Sequence, residues 1–154
     1  MNILVLGGHG FIGSHIVEAL IHDGHNIRVF ARHPAEFICD AEWFSGDFLD
    51  QGKLAEALIG IDAVVHCIST TVPATSAANY IYDIESNLIG TVELLRLMKE
   101  QGVYRLIYLS SGGTVYGNPV LNPVPENAAL NPISSYGAVK VSIEKFIEVS
   151  KISW

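Results

Sequence analysis

The chain opens on an apolar run, Ile3-Leu4-Val5-Leu6, cut off by Gly7-Gly8-His9-Gly10-Phe11-Ile12-Gly13. A short run of this kind ended by glycine reads as a buried strand. From Phe11 to about Asp23, Ile12, Ile16, Ala19 and Leu20 recur at helical spacing, and Gly24 then closes that helix as a C-cap. A strand that turns through glycines straight into a helix admits few architectures. Gly7 permits a tight exit from the strand, Gly10 lets a phosphate approach the backbone, and Gly13 lets the helix pack closely on the strand. The helix then presents unpaired N–H groups and a partial positive charge to an anion.

The rest of the chain repeats the strand–helix alternation. Ile27 to Ala31 reads as a second strand, and Trp43-Phe44 centres a short third one before Gly46. Lys53 to Ile59 reads as a small helix and Asp62 to Ile68 as a fourth strand, followed by a polar loop from Ser69 to Ser76. A long helix is expected from about Tyr80 to Gln101, with Leu88, Thr91, Val92, Leu95 and Met98 on one face and Gly102 as its stop. Leu106 to Leu109 is a fifth strand, and a proline-rich loop leads to a last helix beginning near Ser134. Crossovers this long require parallel strands. The expected fold class is α/β, a doubly wound parallel sheet of Rossmann type, with residues 1–154 forming one dinucleotide-binding domain.

Composition agrees with that layering and excludes other classes. Apolar residues make up 49% and charged residues 16%, which suits strands buried on both faces. The net charge of −7 argues against a protein that grips a nucleic-acid backbone. No apolar stretch approaches a bilayer's thickness, so no membrane association is expected. Met1-Asn2-Ile3 has no basic flank and reads as the start of a strand rather than a signal peptide. The two cysteines, Cys39 and Cys67, show no sign of pairing, and a reducing cytoplasm is the simplest setting. Six histidines are present, but His22 and His25 span a helix end and nothing completes a metal site. His66 lies in an apolar strand and reads as a core residue.

Far downstream, Tyr136-Gly137-Ala138-Val139-Lys140 places a lysine one helical turn from a tyrosine, on the same face. A phenol with a reference pKa near 10 is a poor base at neutral pH, and a neighbouring ammonium favours its ionised form. Tyr136 can then accept a hydroxyl proton, with Lys140 as its activator.

The glycine spacing is Gly-x-x-Gly-x-x-Gly, and with it the sequence resembles the extended short-chain dehydrogenase/reductases, the nucleotide-sugar epimerases and dehydratases. The resemblance rests on Gly7 to His15, Gly46-Asp47, Val65-His66, Asn87-Leu-Ile-Gly-Thr91, Ser110-Ser111 with Val115-Tyr116-Gly117, and Ser135-Tyr136-Gly137 with Lys140. It implies NAD as cofactor, held by Gly7, Gly10, Phe11, Ile12 and Gly13 and by Asp47 and Phe48 beside the adenine. Cys67 falls where the family's chain passes close to the cofactor, and Tyr136 and Lys140 fall at its nicotinamide end. The family's acidic ribose ligand is replaced by Ala31, followed by Arg32, which can attract a 2′-phosphate and leaves NADP open.

The same resemblance implies catalysis by Ser111, Tyr136 and Lys140 on a nucleotide-sugar such as a UDP-hexose. Ser111 matches the serine that hydrogen-bonds the reacting oxygen, although the spacing also leaves Ser110 or Thr114 open. The family's dehydratases carry an Asp-Glu pair after the fifth strand. Here that loop is Gly112-Gly113-Thr114, so epimerisation through a transient 4-keto sugar fits better. Thr70, Thr71 and Thr75 occupy the substrate-side loop.

Family members continue into further strands and a C-terminal lobe that grips the nucleotide-sugar. The sheet is therefore expected to be incomplete on its C-terminal side, with the fifth strand at an open edge. Two readings follow: an epimerase whose catalytic residues remain, with activity reduced or lost, or a non-catalytic dinucleotide-binding module completed by another chain. The family pattern also implies a homodimer through the helices around 80–101 and 134–150.

Overall fold

The computed structural model describes residues 1–34 and 40–153; Cys39 and Trp154 lie outside the described residues. The chain forms two compact units, Met1–Ile68 with Glu93–Leu109, and Ser69–Val92 with Ser110–Trp154.

The first unit is built on five strands: β1 (Asn2–Leu6), β2 (Asn26–Ala31), β3 (Glu42–Ser45), β4 (Ala63–His66) and β5 (Leu106–Tyr108). Every pairing is parallel, and the spatial order is β3-β2-β1-β4-β5. Helices α1 (Phe11–His22) and α2 (Gln51–Ala57) make the crossovers from β1 to β2 and from β3 to β4. The expected doubly wound parallel sheet of Rossmann type is present. The chain builds outward from β1 on one side and then returns to β4 on the other, so the topological switch falls between β1 and β4. Ligands of open α/β sheets bind at the carboxyl ends of the strands at such a switch.

Strand alternation explains the core. Ile3, Val5, Ile27, Val29, Ala31 and Val65 share a buried cluster with Val17 of α1. The alternate positions Leu4, Leu6, Phe30, Val64 and His66 are buried as well, as are Leu54 and Leu58 at α2 and Leu94 and Met98 on α5 (Gly90–Glu100). A strand buried on both faces must be apolar throughout, which is why β1 reads as a continuous run rather than an alternation. Each fully buried Leu, Val or Phe contributes about 1.5–3 kcal/mol.

Helix α1 ends as expected: Gly24 has φ +79°, and the Gly24 and His25 amides return to the carbonyls of Ile21 and Leu20. Its buried face differs from the expected one. Gly13, Ser14 and Val17 are buried, Ile16 and Leu20 are half-buried, and Ile12 and Ala19 face solvent. Helix α2 starts two residues earlier than expected because the Asp50 carboxylate caps it, accepting from the Lys53 amide at 3.0 Å.

The second unit holds α3 (Pro73–Ser76), α4 (Tyr80–Asp83), a π-helical segment (Ile84–Ile89) that leads into α5, and α6 (Ser135–Ser153). The loop expected from Ser69 to Ser76 thus ends in a short helix opened by Pro73, a residue suited to a first helical position. The helix expected from Tyr80 to Gln101 is continuous but widens into π geometry in the middle. Its buried positions are Asp83, Ser86, Asn87, Gly90, Thr91, Leu94, Leu95, Leu97 and Met98, whereas Leu88 and Val92 are half-buried. Helix α6 begins just after Ser134, whose hydroxyl accepts from the Gly137 amide at 3.1 Å. No helix among the described residues is long and apolar enough to cross a membrane.

Candidate active site

In the first unit, the candidate residues gather where β1 ends. Gly7 has φ +77°, a conformation that a side chain would strain, and its amide donates to the Phe30 carbonyl at 2.9 Å. The Gly10 amide turns back onto the Gly7 carbonyl at 3.0 Å, closing the loop. Gly13 has no room for a side chain: a Cβ there would lie 2.3 Å from the Gly7 carbonyl oxygen and 2.9 Å from the Gly8 Cα. The first turn of α1 is therefore pressed directly onto the loop.

That close approach shapes the mouth of the turn. Gly10 is the N-cap of α1 and provides no side-chain cap, and the first turn carries no acidic residue. Phe11 and Ile12 are exposed. The first amides of α1 thus lack a capping oxygen from Gly10, in the position where an anion is favoured. The residues fit a dinucleotide pyrophosphate.

The candidates for the adenosine end sit on adjacent strand ends. Ala31 is buried at the end of β2 and Arg32 is exposed. Asp47, which follows β3, uses its carboxylate locally and accepts from the Leu49 amide at 2.9 Å. Phe48 is buried, with its ring 5.1 Å from the His66 ring, so any ligand contact from Phe48 has to come from its backbone. His66 is the buried core residue expected, its Nδ1 accepting from the Ile68 amide at 3.3 Å. Cys67 continues β4, its amide donating to the Leu6 carbonyl at 3.0 Å, and its half-buried side chain packs against the core cluster.

In the second unit, α6 carries the tyrosine and the lysine. Tyr136 is half-buried and Lys140 is buried, with the Lys140 Nζ 5.5 Å from the centroid of the Tyr136 ring. A cation near an aromatic ring in a dry setting interacts favourably with it. The three candidate hydroxyls separate here. Ser110 donates to the Glu144 carboxylate on α6. Thr114 lies within 3.4 Å of the Ser111 carbonyl oxygen, to which it donates. Ser111 is half-buried, and its carbonyl accepts from the Thr114 and Val115 amides, which fixes its backbone. Its hydroxyl has no such commitment among the described residues.

The threonines of the preceding loop are engaged internally. Thr70 shares a 2.5 Å hydrogen bond with Ser86 and accepts from the Asn87 side chain at 2.8 Å, while Thr71 donates to Asp83 at 2.7 Å. Thr75 accepts from the Val72 amide at 3.2 Å. Sequence reasoning passed over Asp83 and Glu144. The readable signal for the first was the i, i+4 series Asp83, Asn87, Thr91, a polar line on a helix whose later turns are apolar.

A five-stranded parallel sheet with a glycine turn at its switch point defines a dinucleotide-binding fold of Rossmann type. Residues 3–151 match the model of the NAD dependent epimerase/dehydratase family, and the chain belongs to that family. It is 35% identical over 150 residues to a UDP-glucose 4-epimerase of Halalkalibacterium halodurans, covering 94% of this chain and 45% of that protein. Among solved structures, a UDP-glucose 4-epimerase of Thermotoga maritima with UDP-glucose superposes with a TM-score of 0.93 at 33% identity, over 100% of this chain and 52% of that one. A Thermus thermophilus UDP-glucose 4-epimerase in complex with NAD gives a TM-score of 0.93 at 31% identity, over 100% and 52%. The chain spans about half the length of the curated relatives it matches.

Proposed function

We propose that residues 1–154 supply the dinucleotide-binding domain and the catalytic residues of an NAD-dependent nucleotide-sugar epimerase acting on a UDP-hexose. The observation that carries this reading is the uncapped N-terminus of α1 above a turn that Gly13 leaves without space for any side chain. Gly7, Gly10, Phe11, Ile12 and Gly13 hold the pyrophosphate of the cofactor, Arg32, Asp47 and Phe48 line its adenosine end, and Cys67 passes close to the cofactor. Tyr136 and Lys140 belong to the nicotinamide end. NAD, when bound, supplies a reversible hydride acceptor.

The chain's own residues handle the proton. Tyr136, as phenolate, accepts the hydrogen of the sugar 4-hydroxyl and returns it to the 4-keto oxygen after the sugar has turned over. Lys140, with its Nζ 5.5 Å from the centroid of the Tyr136 ring, is the partner assigned to it in that step. Ser111 donates a hydrogen bond to the reacting oxygen as charge develops on it. Elimination of water needs an acid where this chain has Gly112-Gly113-Thr114, which supports epimerisation over dehydration.

The epimerase relatives and the UDP-glucose in one of the similar structures support the substrate class. A homodimer through the helices around 80–101 and 134–150 is part of the same proposal. It is supported by the exposed apolar residues Ile81, Ile84 and Ile89 on the first of these segments and Phe146 and Val149 on the second. The test has two arms: calorimetric titration with NAD, and conversion of UDP-galactose to UDP-glucose. Binding and turnover are both expected; NAD binding without turnover would leave a dinucleotide-binding module and overturn the catalytic reading.

A further inference from the structure

Asp83 is fully buried, with none of its surface exposed. An ionised carboxylate in such a place is costly unless donors surround it. Three neutral donors do so. Thr71 Oγ1 and Asn87 Nδ2 donate to its Oδ1 at 2.7 and 3.0 Å, and Ser135 Oγ donates to its Oδ2 at 2.7 Å. The Asn87 amide is itself shared: its Oδ1 accepts from the Thr70 amide at 2.9 Å. One carboxylate therefore ties together the loop at Thr70–Thr71, the start of the π-helical segment, and the residue next to Tyr136.

We propose that Asp83 is a positioning residue for Tyr136, acting through the Ser135 hydroxyl to fix the first turn of α6. The local backbone gives that bond its leverage. Ser135 opens α6, and Ser134 caps it through the Gly137 amide at 3.1 Å, so Tyr136 lies between two anchored positions. Gly137 is closely packed behind it, where a Cβ would meet the Thr114 carbonyl oxygen at 2.8 Å. Without the Ser135–Asp83 bond, the half-buried tyrosine keeps its chain attachment but loses the contact that sets the roll of its turn. Its ring then drifts relative to the buried Lys140, which lies one turn further along the same helix. The π geometry of Ile84–Ile89 belongs to the same device. It brings Ser86 and Asn87 inward together beneath Asp83, and such segments recur at functional sites in other helices.

The proposal rests on the assignment of Tyr136 as proton acceptor, but its first readout does not use activity. In the full chain, the Lys140 side-chain methylenes near the Tyr136 ring carry a ring-current shift, identified by its disappearance in Tyr136→Leu. Ser135→Ala and Asp83→Asn should each move the Lys140 signals at least halfway towards the Tyr136→Leu position while amide-exchange protection elsewhere stays native. Ser135→Thr, which keeps the hydroxyl, should restore them. The double variant Asp83→Asn/Ser135→Ala should be no worse than the worse single variant, because one bond carries both effects. In turnover, Ser135→Ala should lower kcat by about tenfold to a hundredfold with KM for the sugar nucleotide within twofold, as expected when proton transfer to a misplaced base is slowed. A folded Ser135→Ala protein with wild-type Lys140 signals overturns the positioning role. Displaced Lys140 signals alongside a Tyr136→Phe variant that turns over normally would leave the positioning intact and overturn the catalytic reading instead.

Discussion

The Lys140 ammonium nitrogen stands 5.5 Å from the centroid of the Tyr136 ring, and the lysine is buried while the tyrosine is only half-buried. The lysine is thus withheld from water, while the phenol keeps part of its surface exposed. Replacing Tyr136 by Phe keeps the ring and removes only the phenol oxygen, the atom proposed to accept the proton. Tyr136→Phe is therefore expected to lower kcat by about 10²–10⁴-fold while NAD affinity changes little. Steady-state conversion of UDP-galactose and calorimetric titration of NAD measure the two quantities separately. A variant that retains more than a third of wild-type kcat would remove Tyr136 from the reaction.

Gly13 provides a test of the phosphate turn that does not depend on catalysis. A methyl group there would sit 2.3 Å from the Gly7 carbonyl oxygen, which is backbone and cannot swing away. The first turn of α1 has to lift off the loop, displacing the amides proposed to hold the pyrophosphate. Gly13→Ala is expected to cost about 1–3 kcal/mol of stability, as overpacking commonly does. It should also weaken NAD binding by more than tenfold under conditions where the protein remains folded. Denaturant melts and calorimetry check these in turn, and unchanged NAD affinity would place the pyrophosphate elsewhere.

The structure distinguishes three hydroxyls among which the sequence favoured Ser111 but left Ser110 and Thr114 open. Ser110 donates to Glu144 and Thr114 to the Ser111 carbonyl, whereas the Ser111 hydroxyl is uncommitted among the described residues. Loss of a donor to a developing oxyanion costs about 10²–10³ in kcat in well-studied cases. Ser111→Ala is expected to fall near the lower end of that range, and Ser110→Ala to stay within about tenfold of wild type. The reverse order in a kcat comparison would transfer the role to Ser110.

The apolar and glycine patterns made the first unit legible. Each strand was readable within one or two residues because β1, β2 and β4 bury apolar residues on both faces and a glycine or polar turn ends each strand, even though the edge strands β3 and β5 are only partly buried. The face of α1 was less legible. The close approach enforced by Gly13 turns Val17 inward and leaves Ile12 in solvent, a consequence of backbone contact that side-chain periodicity does not encode. In the second unit, the helix from Tyr80 was visible but its π segment was not, because its buried face is polar. Asp83, Ser86, Asn87 and Thr91 are satisfied by hydrogen bonds to one another and to the Thr70–Thr71 loop, and such partners cannot be inferred from hydropathy. The Tyr136–Lys140 spacing was plain from sequence, whereas the Ser135–Asp83 bond behind it required the fold.

Arg32 bears on the choice between the two nicotinamide dinucleotides. It occupies an exposed position just after β2, where the strand ends on the buried Ala31 rather than on a carboxylate. An exposed guanidinium contacting a phosphate is screened by water and salt, so its contribution is modest, about fivefold in affinity. NADPH is therefore expected to bind within about tenfold of NADH. Arg32→Ala should weaken NADPH about fivefold and leave NADH nearly unchanged, and the difference should shrink as salt is raised from 50 to about 500 mM. Fluorescence titrations of both reduced cofactors against wild type and variant provide the measurement. Equal losses for the two would mean that Arg32 touches the shared part of the molecule, and no loss for either would leave it a solvated surface residue, with the ribose held by other groups.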